Sequence, residues 1–192
     1  MTEQKILFVN ACIRRNSRTR FLAEQVIRRL NGTVVEANPV TATKPITSEK
    51  FIIKRTEATG KMDFTDPVYT PARQFAEADI IVIAAPYWDL SFPAILKAYF
   101  EQVNVLGLTF EYTDEGIPRG LCKAKKLIYV TTAGGSIISD EYGYGYVKAL
   151  AQNYYGIQDV RKIEALGLDI YGADVDAIMT SAADQLQSMN LA

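Results

Sequence analysis

The sequence predicts a doubly wound α/β domain, and three observations carry that expectation. Short continuous apolar runs recur as "KILFVN" (5–10), "ADIIVIAAP" (78–86) and "KKLIYVTTA" (125–133), the pattern of strands covered on both faces. Amphipathic stretches separate them, so the order reads β-α-β-α-β-α. A length of 192 residues fits one domain over 1–192, enough to bury roughly two thirds of the unfolded surface in a single core.

Taken in order, the first strand is 5–10 and the first helix spans 19–30, with Phe21, Leu22, Val26, Ile27 and Leu30 on one stripe. "TVVEAN" (33–38) adds a strand. Residues 39–65 carry Pro39, Pro45 and many Thr, Ser and Lys residues without a period, and two readings stay open there, a lid or a disordered connector. A helix over 66–77, the strand within 78–86 and a helix over 94–106 follow. The strand within 125–133, another within 160–170 and a helix over 173–189 with an acidic first turn complete five strands and about five helices. In such sheets ligands bind beyond the strands' carboxyl ends, where the strand order reverses, so the loops after strands are the ones to read.

Composition removes several function classes. The formal net charge is −1, which lacks the electrostatic footprint of a nucleic-acid binder. No apolar run approaches the roughly 20 residues that span a bilayer, and the amino terminus has no long apolar segment. Two cysteines, Cys12 and Cys122, are too few for a disulfide framework and have no metal-ligand spacing, so a reducing, cytoplasmic setting is expected. Histidine is absent, which excludes Ser-His and Cys-His pairs and most zinc sites; no metal site is expected.

After the first strand comes "NACIRRNSRTR" (10–20). The hydroxyls of Ser17 and Thr19, backbone N–H groups opening a helix and the cations Arg14, Arg15 and Arg18 make an anion site. Ser17 ahead of an amphipathic run is equally explained as a plain N-cap, and both readings stay open. The loop lacks the glycines of G-x-G-x-x-G or of a P-loop, and "GYGYVK" (143–148) imitates a glycine fingerprint without its third Gly. A mononucleotide phosphate held by hydroxyls and amides remains.

"APYWDLSFPAILKAYFEQV" (85–103) puts Tyr87, Trp88, Asp89 and Leu90 after the third apolar strand, and "TTAGG" (131–135) follows the fourth. The two loops are placed to bracket one planar ring system, with Gly134 and Gly135 permitting close backbone approach. Trp88 has a second reading, a buried anchor of the Pro93 turn.

The segment "APYWDLSFPAILKAYFEQVNVLGLTFEYTDEGIPRGLCKAKKLIYVTTAGG" resembles the FMN-dependent NADH azoreductases and related NAD(P)H quinone dehydrogenases, which are flavodoxin-like. In that family an A-P-[MY]-[YW]-N-F-x-[IV]-P loop, a G-x-T-F-x-Y-T segment, a G-L-x-x-x-K-K segment and an S-R-G-G loop occur in this order. The likeness runs from about residue 5 to about residue 187, weakest across 39–75 and 136–153. The resemblance implies a five-stranded parallel sheet of order 2-1-3-4-5 with helices on both faces. It also implies that Cys12, Ser17, Arg18 and Thr19 hold the phosphate and ribityl chain of FMN. Tyr87, Trp88, Asp89 and Leu90 edge the isoalloxazine, and Thr132, Ala133, Gly134 and Gly135 lie along its pyrimidine side. Tyr112, Tyr154 and Trp88 are the implied substrate-pocket residues, Tyr154 reaching over from the other subunit of a homodimer with flavin sites at its interface. NADH or NADPH is the implied donor and quinones or azo compounds the implied acceptors, with no obligatory acid–base residue.

Three positions depart from the family pattern: Asp89 stands where the family has Asn, Ala133 where it has Arg, and Cys12 where it has a phosphate-loop Ser. An ionised Asp only accepts hydrogen bonds, whereas an Asn amide also donates. Two rival readings stand beside the enzyme: a flavodoxin-type carrier of single electrons, against which the net charge of −1 argues, and a flavin-binding regulatory module without turnover. The homodimer is also expected because Tyr87, Trp88, Phe92, Tyr99, Phe100, Tyr112, Tyr154 and Tyr155 are many large rings for one small sheet to bury.

Overall fold

The computed structural model describes residues 3–43 and 45–188. Seven strands run along the described chain: β1 (Lys5–Asn10), β2 (Thr33–Ala37), β3 (Ile80–Ala84), β4 (Phe110–Tyr112), β5 (Pro118–Gly120), β6 (Lys126–Thr132) and β7 (Asp159–Ala165). Five of them form one parallel sheet in the order β2-β1-β3-β6-β7, while β4 and β5 pair antiparallel as a separate hairpin. Without the hairpin the order is the expected 2-1-3-4-5. The helices are α1 (Arg18–Ile27), α2 (Pro39–Ala42), α3 (Glu49–Gly60), α4 (Thr70–Glu77), α5 (Ala94–Val103), α6 (Tyr144–Leu150) and α7 (Val175–Ser188).

Alternation along the strands divides the core into two layers. Leu7, Val9, Ile81, Ile83, Leu127 and Tyr129 pack on one face against Phe75, Leu96, Phe100 and Val147. Ile6, Phe8, Val82, Ile128 and Val130 pack on the other against Leu22, Val26, Met179 and Ala182. Burial on both sides is why β1, β3 and β6 read as unbroken apolar runs. No helix among the described residues is long and apolar enough to cross a membrane.

Several expectations are corrected. Residues 39–65 are not a disordered connector over most of their described length: Asn38 caps α2, its side chain accepting from Val40 N at 3.0 Å, and α3 follows. No residue of α3 is buried, so no apolar stripe exists for the sequence to display. The helix is tied down from its side chains. Arg55 donates to the carbonyls of Glu101 (2.9 Å) and Asn104 (2.8 Å) at the end of α5, where a cation also suits the helix dipole.

Phe21 is 54% exposed, not part of the buried stripe of α1, which holds Leu22 and Val26. The helix expected over 66–77 begins as a 3-10 turn at Pro67–Tyr69 and becomes α4 at Thr70. The helix expected over 94–106 stops at Val103, where the buried Thr109 hydroxyl donates to Val103 O at 2.8 Å and accepts from Val105 N at 3.1 Å. "GYGYVK" opens α6, which runs on into a π turn at Ala151–Tyr155 and ends at Gly156 with φ 76°. The closing helix begins at Val175, with Asp174 accepting from Ala177 N at 2.9 Å; residue 189, its expected end, lies outside the described residues. Of the rings expected to need a partner, Tyr99, Phe100 and Tyr155 are fully buried within one chain.

Candidate functional site

At the carboxyl edge of the sheet, where the order reverses between β1 and β3, a cavity of about 360 Å³ opens among the loops after β1, β3, β6 and β7. That volume falls in the range small-molecule sites take, roughly 300–1,000 Å³. Each wall is built by a local device.

The first wall is the turn into α1. Asn10 donates from Nδ2 to Glu36 Oε1 (2.9 Å) and accepts from Cys12 N (3.1 Å), so one side chain both anchors the strand end and turns the chain. Ser17 caps α1, its Oγ accepting from Arg20 N at 3.2 Å, and the Ser17 carbonyl takes Phe21 N. The first-turn N–H groups of Arg18 and Thr19 are left for a ligand. The plain N-cap reading of Ser17 is met, and the same residue also lines the cavity. Arg14 lines the same wall.

The second wall follows β3. Tyr87 N bonds Thr132 O at 3.0 Å, and the Tyr87 phenol accepts from Ser139 N at 3.2 Å. Trp88 and Ser91 exchange two backbone bonds, Trp88 N to Ser91 O (3.0 Å) and Ser91 N to Trp88 O (2.8 Å). Asp89 and Leu90 between them have φ of 49° and 68°, the two left-handed residues of a primed turn. Asp tolerates that region; a Leu there is strained. Trp88 is 38% exposed and lines the cavity, so it is not a buried anchor of the Pro93 turn.

The third wall is the loop after β6, held by the loop after β7. Ala133 N bonds Ala165 O (3.0 Å), Leu168 N bonds Ala133 O (3.2 Å), and Asp169 N bonds Gly134 O (3.1 Å). A Cβ on Gly134 would collide with the Asp169 carboxylate, whereas at Gly135 it would meet only Ile137 O, at 3.9 Å. A side chain at 134 would therefore have to displace the Asp169 carboxylate. The buried hydroxyls of Thr19 and Thr132, 2.7 Å apart, join this wall to the first.

The structure thus brings together Ser17, Arg18, Thr19, Tyr87, Trp88, Thr132, Ala133 and Gly134. Cys12, Asp89, Leu90 and Gly135 do not line the cavity. The Cys12 thiol is buried against the Ala84 carbonyl (3.7 Å), and burial pushes its pKa up to about 11. Tyr112 and Tyr154 also lie outside the cavity of their own chain. They sit on the hairpin and the π turn, with Phe110 between them at ring separations of 5.5 and 5.0 Å. A hydrogen bond with Tyr154 raises the pKa of the Tyr112 phenol. Ile13, Asn16, Pro86, Leu168 and Asp169 complete the lining. Leu168 and Asp169 follow the last strand, and the rule that strand ends carry the ligand loops is the signal that would have found them.

The residues present fit a mononucleotide flavin. Helix-start amides, hydroxyls and a cation at one end suit a phosphate, and Tyr87 and Trp88 offer flat apolar surface at the other. A model of the flavodoxin-like fold matches residues 4–189. The chain is 34% identical over 182 residues to a protein of Clostridium perfringens (strain 13 / Type A) named FMN-dependent NADH:quinone oxidoreductase 2, covering 89% of this chain and 90% of that one. It is 44% identical over 121 residues to the Clostridium beijerinckii protein named FMN-dependent NADH:quinone oxidoreductase, covering 62% of this chain and 60% of the relative's length. Over that more similar stretch the match spans less than two thirds of the relative. Among solved structures, azoreductase from Bacillus anthracis str. Sterne superposes with a TM-score of 0.79 at 27% identity, covering 96% of this chain and 97% of that one.

Proposed function

The chain belongs to the flavodoxin-like family, and from that premise we propose that it is an FMN-dependent NAD(P)H oxidoreductase reducing quinones or azo compounds. The observation that carries the proposal is the cavity at the switch point, with an anion-holding turn at one end and an aromatic wall at the other. Relatives named for NADH:quinone reduction and a neighbour named azoreductase support the choice of reaction. Bound FMN would supply the hydride chemistry between nicotinamide and acceptor.

The chain's own residues bind and orient. Arg14, Ser17 and the Arg18 and Thr19 amides hold the phosphate. Tyr87 and Trp88 on one side and Ala133 and Gly134 on the other would edge the ring and leave one face open. Donor and acceptor would then occupy that open side of the cavity in turn, the order of a two-step, ping-pong reduction. No histidine is needed for this, because a proton for the reduced acceptor is available from water.

The proposal includes a homodimer in a reducing, cytoplasmic setting. Tyr112 (51%), Leu106 and Ile117 are exposed around the hairpin, and Tyr112 and Tyr154 lie outside the cavity of their own chain, which supports the reading that they serve a partner's. Both cysteines are free. The experiment is the visible spectrum of the purified protein and of the cofactor released on denaturation, with light scattering on the same sample. A yellow dimer releasing FMN is expected. A protein that takes up no FMN when it is supplied overturns the function, and a flavin-loaded, active monomer overturns the two-subunit pocket.

A further inference from the structure

The cations of the loop after β1 do not share one task. Arg14 lines the cavity and, among the described residues, makes no ion pair. Arg18 is committed elsewhere: its Nη1 donates to Asp169 Oδ1 at 2.9 Å and to Leu168 O at 3.4 Å. Asp169 is itself fixed, with its N–H on Gly134 O at 3.1 Å and its carboxylate in the space a Gly134 Cβ would need. Arg18 therefore starts in the anion-holding turn and ends beside Ala133 and Gly134 at the opposite wall.

Apart from this pair, the side chains that line that part of the cavity, those of Tyr87, Trp88, Thr132, Ala133 and Gly134, carry no charge. The two partners are unequally exposed, the Arg18 side chain 45% and the Asp169 side chain 73%. Both charges line the cavity, so removing either one leaves the other uncompensated beside that wall.

Resting on the function proposed above, we infer that Arg18, positioned by Asp169, sets the reduction potential of the bound flavin. Hydride transfer moves two electrons and one proton from the nicotinamide to the ring. The donor becomes more positive by one charge and the ring more negative by one. Arg18 is the cation at the ring wall that offsets this new negative charge, and a nearby charge is one of the means by which a protein tunes a cofactor. Arg14 is left for the phosphate.

The test is the midpoint potential of the FMN-loaded protein at pH 7 for Arg18→Gln, Arg18→Lys and Asp169→Asn. Arg18→Gln is expected to make reduction about tenfold less favourable, a fall of about 30 mV for a two-electron couple. Arg18→Lys is expected to stay within about threefold of the parent. Asp169→Asn keeps an acceptor for Arg18 but removes the negative charge, and is expected to raise the potential. A merely structural role would move Arg18→Gln and Asp169→Asn in the same direction. An unchanged potential in Arg18→Gln, or a fall or no change in Asp169→Asn, overturns the inference while the parent still binds FMN. A parent protein that takes up no FMN overturns the functional reading and this inference with it.

Discussion

The hydroxyls of Thr19 and Thr132 lie 2.7 Å apart, both buried, and join the first turn of α1 to the end of β6. One contact thereby fixes the spacing between the turn into α1 and the loop after β6, two walls of the cavity. Replacing Thr19 alone with Val leaves a buried hydroxyl on Thr132 without its partner, which costs about 1–3 kcal/mol. The double change Thr19→Val with Thr132→Val removes both groups and is expected to cost less than the sum of the single changes. Urea unfolding of the three variants checks this.

Arg14 lines the cavity and, among the described residues, makes no ion pair. Arg14→Glu is expected to weaken FMN binding about tenfold or more while leaving riboflavin, which has no phosphate, within about twofold. Each tenfold is about 1.4 kcal/mol. Fluorescence titration of the flavin-free protein with both ligands measures the ratio, and equal losses for the two would place the phosphate elsewhere.

Gly134 and Gly135 are neighbours with opposite tolerances. Gly134→Ala drives a Cβ into the Asp169 carboxylate, whereas Gly135→Ala meets open space. The first is expected to destabilise by about 1–2 kcal/mol and to separate Asp169 from Arg18; the second is expected to stay within about 0.5 kcal/mol. Comparing the two melting curves tests the assignment of Gly134 to loop packing.

Leu90 has φ 68° and is exposed. A left-handed residue with a side chain costs roughly 1–2 kcal/mol, and the extra freedom of an unfolded glycine offsets about 0.4–1 kcal/mol of what is regained. Leu90→Gly is therefore expected to stabilise the flavin-free protein by about 0.5 kcal/mol, read as a higher urea midpoint. A lower midpoint would show that the Leu90 side chain contributes packing that outweighs the strain.

The legible part of the fold was the part buried on both sides. β1, β3 and β6 announce themselves because every side chain faces apolar neighbours, and α1, α5 and α7 because each buries one face. α3 was hidden because none of its residues is fully buried, and β4 and β5 because three residues each carry too little pattern. In the site, hydroxyls and aromatic rings at strand ends were readable. The direction of Arg18 was not, since its partner Asp169 lies 151 residues away along the chain. Nor could ring counting separate Tyr99 and Tyr155, which fill the core, from Trp88, which lines the cavity.

The most direct test of the central claim, that one cavity serves a hydride donor and an acceptor in turn, is steady-state NADH oxidation by the FMN-loaded protein at several fixed quinone concentrations. Parallel double-reciprocal lines are predicted. Intersecting lines would show both substrates bound together and contradict the shared face, and no NADH oxidation by flavin-loaded protein would contradict the enzyme itself.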